Sequence, residues 1–490
     1  MDALKLVSTI GNNSSFGQSA SDIIHVEDEE DIHVTTSSRI SSPDDQKKRR
    51  GKKISVLHPP DGGIPAWKMV GVCFFLNFCK EFIRNIILHS DGFSDEVGKE
   101  LAQDIYNVYS GFSKFGGVFA AVISIRYGYG MVGIIGCITA ASGLLLASLC
   151  TTSLRGLIAL LVSCVSGIGT GFMEYAILVV VLEYFSTKRV KVIIIVNIAT
   201  TAVNVIFSVL LELKNHYPEL VLPWSLTFRY QAIGMAVAVI ASGFIRTLEL
   251  EPEPDIKKIY RHHHLQYSDF SPKDWNGLVK DLTFYLYIVF FLLYDFAEHL
   301  PDIRDLTENQ KWAFDSDQLM TAKFVPYMGF ACASLVMCAW KNQTLSNILA
   351  VLGPINFIAG LATCVILPYT DFGLIVFYGI IFVVAKRKYD RSNSDCILWM
   401  MLDVIPDEFG RNNTRVCLGI VCFVAGVCEM GSAYAKESAE DYIEEETEKF
   451  KAVFILSGAL IMASGLFGIF IRCLIVLYKD PEYRRRNGEC

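Results

Sequence analysis

The sequence predicts an all-α membrane protein, twelve transmembrane helices in two six-helix halves, and three observations carry that prediction. Apolar residues make up 52% of the 490 residues, with 32 Phe among them, and mean hydropathy is +0.38. About twelve apolar runs approach the ~20 residues that cross hydrocarbon, longer than the ~12 of most helices that keep one face wet. The loops between these runs alternate in charge.

In order, the runs are 66–88, 104–125, 131–151, 156–184, 190–212 and 224–246, then 282–300, 318–340, 346–367, 372–405, 413–434 and 452–478. Backbone amides find no water inside a bilayer, so each run is a helix or is shielded by helices. The tenth is interrupted by KRKYDRSNSD (386–395), leaving about fourteen apolar residues before the break. That is a broken helix facing a cavity or an insertion that damages the fold.

Loop charge sets the orientation. STKRVK (186–191), the 247–281 loop with Lys257, Lys258 and Arg261, and YRRR (483–486) fall on one side. DGFSDEVGKELAQD (91–104), LPDIRDLTENQKWAFDSD (300–317) and KESAEDYIEEETEK (436–449) fall on the other. Basic loops stay cytoplasmic, so both termini are expected there in a plasma-membrane protein. The formal charge of −7 is then mostly an outward-facing acidic surface.

The expected domains are a disordered cytoplasmic tail (1–64), an N-terminal half (65–246), a cytoplasmic central loop (247–281), a C-terminal half (282–478) and a cytoplasmic tail (479–490). No apolar segment precedes the first run, so that run is expected to act as the insertion signal. KKRRGKK (47–53) reads as a contact with anionic inner-leaflet lipid in preference to nucleic acid. Most of the 14 Cys lie in apolar runs, as Cys73, Cys137 and Cys428 do, and behave as small apolar residues. No CxxC pair occurs, and RHHH (261–264) lacks converging geometry, so neither metal nor cofactor is expected. No Ser/His/Asp order or paired catalytic carboxylates point to an enzyme.

Two features inside the runs bear on function. Gly167, Gly169 and Gly171 lie within a span and therefore serve close helix packing, not phosphate binding. Charges are the other feature, because one at the bilayer centre costs about 2.5–3.5 kcal/mol even on lenient scales. Lys80 and Arg84 share a helix face, with Glu81 three residues before Arg84. Either one cation faces a wet cavity and binds a carboxylate, or both snorkel to the outer headgroups. Glu174, mid-span in the fourth run, is a candidate proton-coupling group or a carboxylate buried beside a cation. Glu429, Asp295 and Arg229 read as residues of the outer rim.

DGG (61–63) followed by Trp67, and GIGTGFMEYAILVVVLEYFSTKR (167–189), resemble the first-helix entry and the fourth helix of the monocarboxylate transporters, a branch of the major facilitator superfamily. IRYGYG (125–130), EHLPDI (298–303) and DVIPDEFGRNNTRVCLGIVCFVAG (403–426) are similar to further turns of that family, so the resemblance spans residues 61 to about 478 as a divergent member. It implies the major facilitator fold, and structural or gating roles for Arg126, Lys188 and Arg189. A first-helix Lys binds carboxylate in that family, and the matching place here falls to Arg84 or Lys80. In the fifth span the family's early glycines are replaced by Ile195, Thr200 and Asn204, with Asn197 and Asn204 able to bond across helices. AKFVPYMGFACASL (322–335) lacks the Asp and Arg that proton-coupled members carry in helix eight.

These readings favour a secondary active transporter of lactate- or pyruvate-like monocarboxylates, proton-linked and working by alternating access. The resemblance adds a single-span accessory subunit as a partner. The alternatives are a proton-independent facilitator of larger amphipathic or aromatic solutes, and a transport-dead receptor or scaffold.

Overall fold

The computed structural model describes residues 62–216 apart from 90 and 187, 223–246, 281–300, 345–366, 402, 405–406, 409, 413–442 and 446–479. The chain divides into two compact units, Met1–His58 with Glu249–Asp269 and Val476–Cys490, and Pro59–Leu248 with Phe270–Ile475. All that follows concerns the second. The runs expected at 318–340 and 372–405, the KKRRGKK and RHHH clusters and the 386–395 break lie outside the described residues.

The other ten expected runs fall on described helices. In the first half these are α1 (Gly63–His89), α3 (Lys99–Tyr127), α4 (Tyr129–Leu149), α5 (Arg155–Tyr184), α6 (Arg189–His216) and α7 (Trp224–Ser242). Then come α8 (Leu282–His299), α9 (Leu345–Ile366), α10 (Thr414–Tyr442) and α11 (Glu446–Lys479). Seven of the described helices are long and apolar enough to cross a membrane; α1, with its internal charges, is not among them. The short α2 (Asp91–Val97) stands where a loop was expected. Its Phe93 is buried against the rings of Trp224 and Phe228 of α7, and Trp224 Nε1 donates to Glu96 at 2.8 Å.

Small residues set the helix spacing. A Cβ on Gly169 would lie 2.3 Å from the Ala140 amide of α4, and one on Gly171 2.0 Å from the Ser113 carbonyl of α3. The obstacles are backbone, so they cannot rotate away. Gly171→Ala is therefore expected to cost about 1–3 kcal/mol of packing strain and to lower the melting temperature of the purified protein in detergent; an unchanged melting temperature would contradict this crossing. Gly128, at φ 80°, makes the turn between α3 and α4 in a conformation other residues rarely adopt, and its amide donates to Ser124 O at 2.9 Å.

Among the described residues the most extensive helix pairing is α3 with α10, one helix from each half. Gly117 faces Cys422, and Gly419 faces Ala121, across this contact. α1 packs on α6 through polar pairs. Asn77 Nδ2 donates to Thr200 Oγ1 (3.1 Å) and Val196 O (3.0 Å), and Asn85 Nδ2 to Asn204 Oδ1 (3.1 Å). Asn204 and Thr200 thus bond across helices where the sequence predicted glycine replacements, but their partners come from α1, and Asn197 makes none of these bonds.

Candidate functional site

The three charges of α1 do not reach for headgroups. Lys80 and Arg84 are 6% and 4% exposed and Glu81 is 0%; together with Ser110 of α3 and Thr170 and Glu174 of α5 they line one small pocket. Helical spacing explains the convergence on the α1 side, since residues three and four apart share a face. The snorkelling alternative is excluded by this burial.

Glu174 is not a lone carboxylate. Its Oε1 accepts from Lys114 Nζ at 2.6 Å and its Oε2 lies 3.5 Å from Lys80 Nζ. Lys80 also approaches Glu81 Oε1 at 3.0 Å. Two cations from α1 and α3 therefore clamp one carboxylate of α5. Desolvating three charges together is tolerable only because they compensate one another.

Arg84 is held differently. Its Nε and Nη2 donate to the Tyr106 hydroxyl at 2.9 and 2.7 Å, and the guanidinium carbon lies 5.7 Å from that ring's centre. Its Nη1 is buried with no hydrogen-bond partner. A guanidinium presented by a neutral phenol keeps its full charge available to a ligand.

The reading of Glu429 and Asp295 as solvated rim residues is overturned. Both are buried, at 7% and 3% exposure. Ser110 Oγ donates to Glu429 across the α3–α10 contact, and Asp295 faces Cys428 of α10. Arg229 is exposed and reaches Ser148, its Nη2 lying 3.3 Å from Ser148 O, as a rim residue would.

The predicted gating residues stand apart from this cluster. Arg126 is exposed over the Tyr127 ring at 5.4 Å. Lys188 is exposed, and a Cβ on Gly62 would come within 3.3 Å of its Nζ. Arg189 is buried, its Nε donating to Phe185 O at 2.8 Å, and the Phe185 ring lies 6.1 Å from that of Trp67. The start of α1 and the exit from α5 thus meet in space through Trp67 and Phe185.

A second inter-half bond lies at the same end of the bundle as Trp67 and Phe185. Arg415, in the first turn of α10, donates through Nε and Nη2 to both Glu183 oxygens, at 2.7 and 3.0 Å, at the last turn of α5. The hydroxyl of Tyr175 donates to Arg415 O at 3.0 Å, and the Tyr129 ring lies 5.3 Å beneath the guanidinium. Glu429 is fourteen residues further along α10, about 21 Å away. The halves are thus bonded at two depths. Among the described residues no group of three His, Cys, Asp or Glu is placed to hold a metal ion.

The family model of the Major Facilitator Superfamily matches residues 70–387, more than half of the chain. The chain belongs to that superfamily, and its fold is the major facilitator fold of two six-helix halves. No curated protein matches it. Among solved structures it is similar to the human organic anion transporter MFSD10 (TM-score 0.57, 13% identity, covering 83% of this chain and 100% of that one). It is also similar to the proton:xylose symporter XylE (0.55, 10%, 84% and 95%) and to the E. coli fucose:proton symporter FucP (0.57, 11%, 83% and 98%). It is a transporter and not an enzyme.

Proposed function

We propose that this protein carries small monocarboxylates of the lactate and pyruvate type across the plasma membrane by alternating access, each with a proton, both termini lying in the cytoplasm. The observation that carries the reading is the pocket at Arg84. Alone of the three cations, Arg84 makes no ion pair among the described residues, and its free Nη1 suits a substrate carboxylate. Similarity to an organic anion transporter and to proton symporters supports the same direction.

Charge counting supports the proton. Lys80, Arg84 and Lys114 face Glu81, Glu174 and Glu429, three against three, with Asp295 behind Cys428. A monoanion entering such a set is uncompensated unless a positive charge comes with it. Glu174 is the candidate acceptor, because protonating it releases Lys80 and Lys114 together. This route uses no Asp or Arg in helix eight.

Uptake of labelled lactate into proteoliposomes under an inward proton gradient tests the reading. Wild type is expected to accelerate severalfold with the gradient, whereas Glu174→Gln, fixed in the neutral form, retains uptake and loses the acceleration. Equal pH dependence in both refutes the role of Glu174. Flux without any pH dependence in wild type points to a facilitator, and ligand-induced thermal stabilisation without flux to a receptor.

A further inference from the structure

We infer that Glu81 is a specificity-determining residue, and that with Arg84 it selects 2-hydroxy monocarboxylates over their 2-oxo and unsubstituted counterparts. This deepens the proposed function and rests on it. Two groups with unpartnered atoms line the same pocket: Arg84 Nη1, a donor, and the Glu81 carboxylate, whose oxygens are buried without a hydrogen bond, Oε1 lying 3.0 Å from Lys80 Nζ and Oε2 left over for a donor. Buried polar groups of this kind are rarely left without partners, and each is costly when it is. Both belong to one helix face, three residues apart.

A ligand that satisfies both must offer an acceptor for Arg84 and, within two or three atoms of it, a donor for Glu81. A carboxylate with a hydroxyl on the adjacent carbon has that pattern. A 2-oxo acid offers only acceptors and leaves Glu81 facing a second oxygen. An unsubstituted acid leaves it facing carbon. A 2-ammonium group is a donor too, but Lys80 Nζ already lies 3.0 Å from Glu81 Oε1, and a second ammonium there meets like-charge repulsion. The hydroxyl is the neutral donor that fits beside Lys80.

The groups facing Glu81 and Arg84 are Lys80 on their own helix, Tyr106, Tyr109 and Ser110 of α3, Thr170 and Glu174 of α5, and Glu429 of α10. Two of the neutral ones are engaged elsewhere: Ser110 donates to Glu429 and Thr170 Oγ1 to Gly167 O.

The test is competition in proteoliposomes holding the full chain, with unlabelled propionate, pyruvate and alanine displacing labelled L-lactate. Wild type is expected to require about tenfold more propionate or pyruvate than lactate for half-inhibition, the increment of one hydrogen bond to a charged acceptor, and still more alanine. Equal potency of lactate and propionate overturns the inference while leaving monocarboxylate transport intact. Absence of uptake of any of these acids overturns both. Glu81→Ala is expected to bring the lactate to propionate ratio to about one, read as a ratio within the variant whatever its total flux, and Glu81→Gln, which keeps an acceptor oxygen, to restore part of the preference. A parallel loss of both substrates in Glu81→Ala, with wild type showing no preference, assigns Glu81 a structural role only.

Discussion

Replacing Arg84 by Gln is expected to raise the KM for lactate by about a hundredfold while leaving the protein folded and inserted. The estimate is one buried charge-assisted hydrogen bond, about 2–3 kcal/mol at 1.4 kcal/mol per tenfold. Gln keeps a polar amide and removes the charge, and being two atoms shorter it also gives up the contacts to Tyr106. Arg84→Lys tests the geometry separately. An ammonium preserves the charge but not the planar fork that grips the Tyr106 hydroxyl with two nitrogens and leaves the third for a ligand. Partial rescue is expected, with KM between that of wild type and that of Gln. Initial rates across a lactate concentration series check both variants, and an unchanged KM in Arg84→Gln removes Arg84 from the site.

Replacing Glu183 by Gln is expected to open the opposite end of the inter-half contact. Arg415 then keeps its place over Tyr129 without its carboxylate, and removing one partner of a buried pair costs about 3–5 kcal/mol. The Arg415 side chain is 14% exposed, so solvent reduces this toward the lower end. A penalty that exists only while the halves are bonded here shifts the population toward the state in which they separate. Cys417 reports the shift, being buried in the first turns of α10 two residues past Arg415. Its alkylation rate, followed by peptide mass spectrometry, is expected to rise at least tenfold in Glu183→Gln. An unchanged rate means that the Arg415–Glu183 bond does not hold that end shut.

Ten of the twelve spans were legible because lipid imposes length and apolarity on each helix separately. Span ends were less legible. α10 continues through AKESAEDY to Tyr442, eight residues beyond the apolar stretch, since backbone hydrogen bonding does not stop where the oily side chains do. That continuation explains the misplacement of Glu429. Counted from residue 434 it sits near the rim, but counted from Tyr442 it lies well inside the helix. The acidic stretch 91–104 went the same way, with α2 and the start of α3 formed from it.

The site was half legible. Lys80, Arg84 and Glu174 stood out because isolated charges in apolar runs are costly. Lys114 carries the same signal in GFSKFGG, and only the structure brings it to the site, where it makes the shortest contact to Glu174. The pairing itself links residues 60 apart in sequence, and periodicity within one helix contains no register with another. The same limit hid Ser110 with Glu429 and Arg415 with Glu183. Tyr106 left no trace in the sequence because an aromatic residue in a membrane helix is ordinary until an arginine is placed against it.

The most direct measurement of the central claim is luminal pH in proteoliposomes of wild-type protein, followed with a trapped indicator after lactate is added outside with no imposed pH gradient. Coupled entry of anion and proton predicts acidification of the lumen at a rate that saturates with lactate and is lost in Arg84→Gln. Lactate entry with no change in luminal pH, or acidification that persists unchanged in Arg84→Gln, would contradict it.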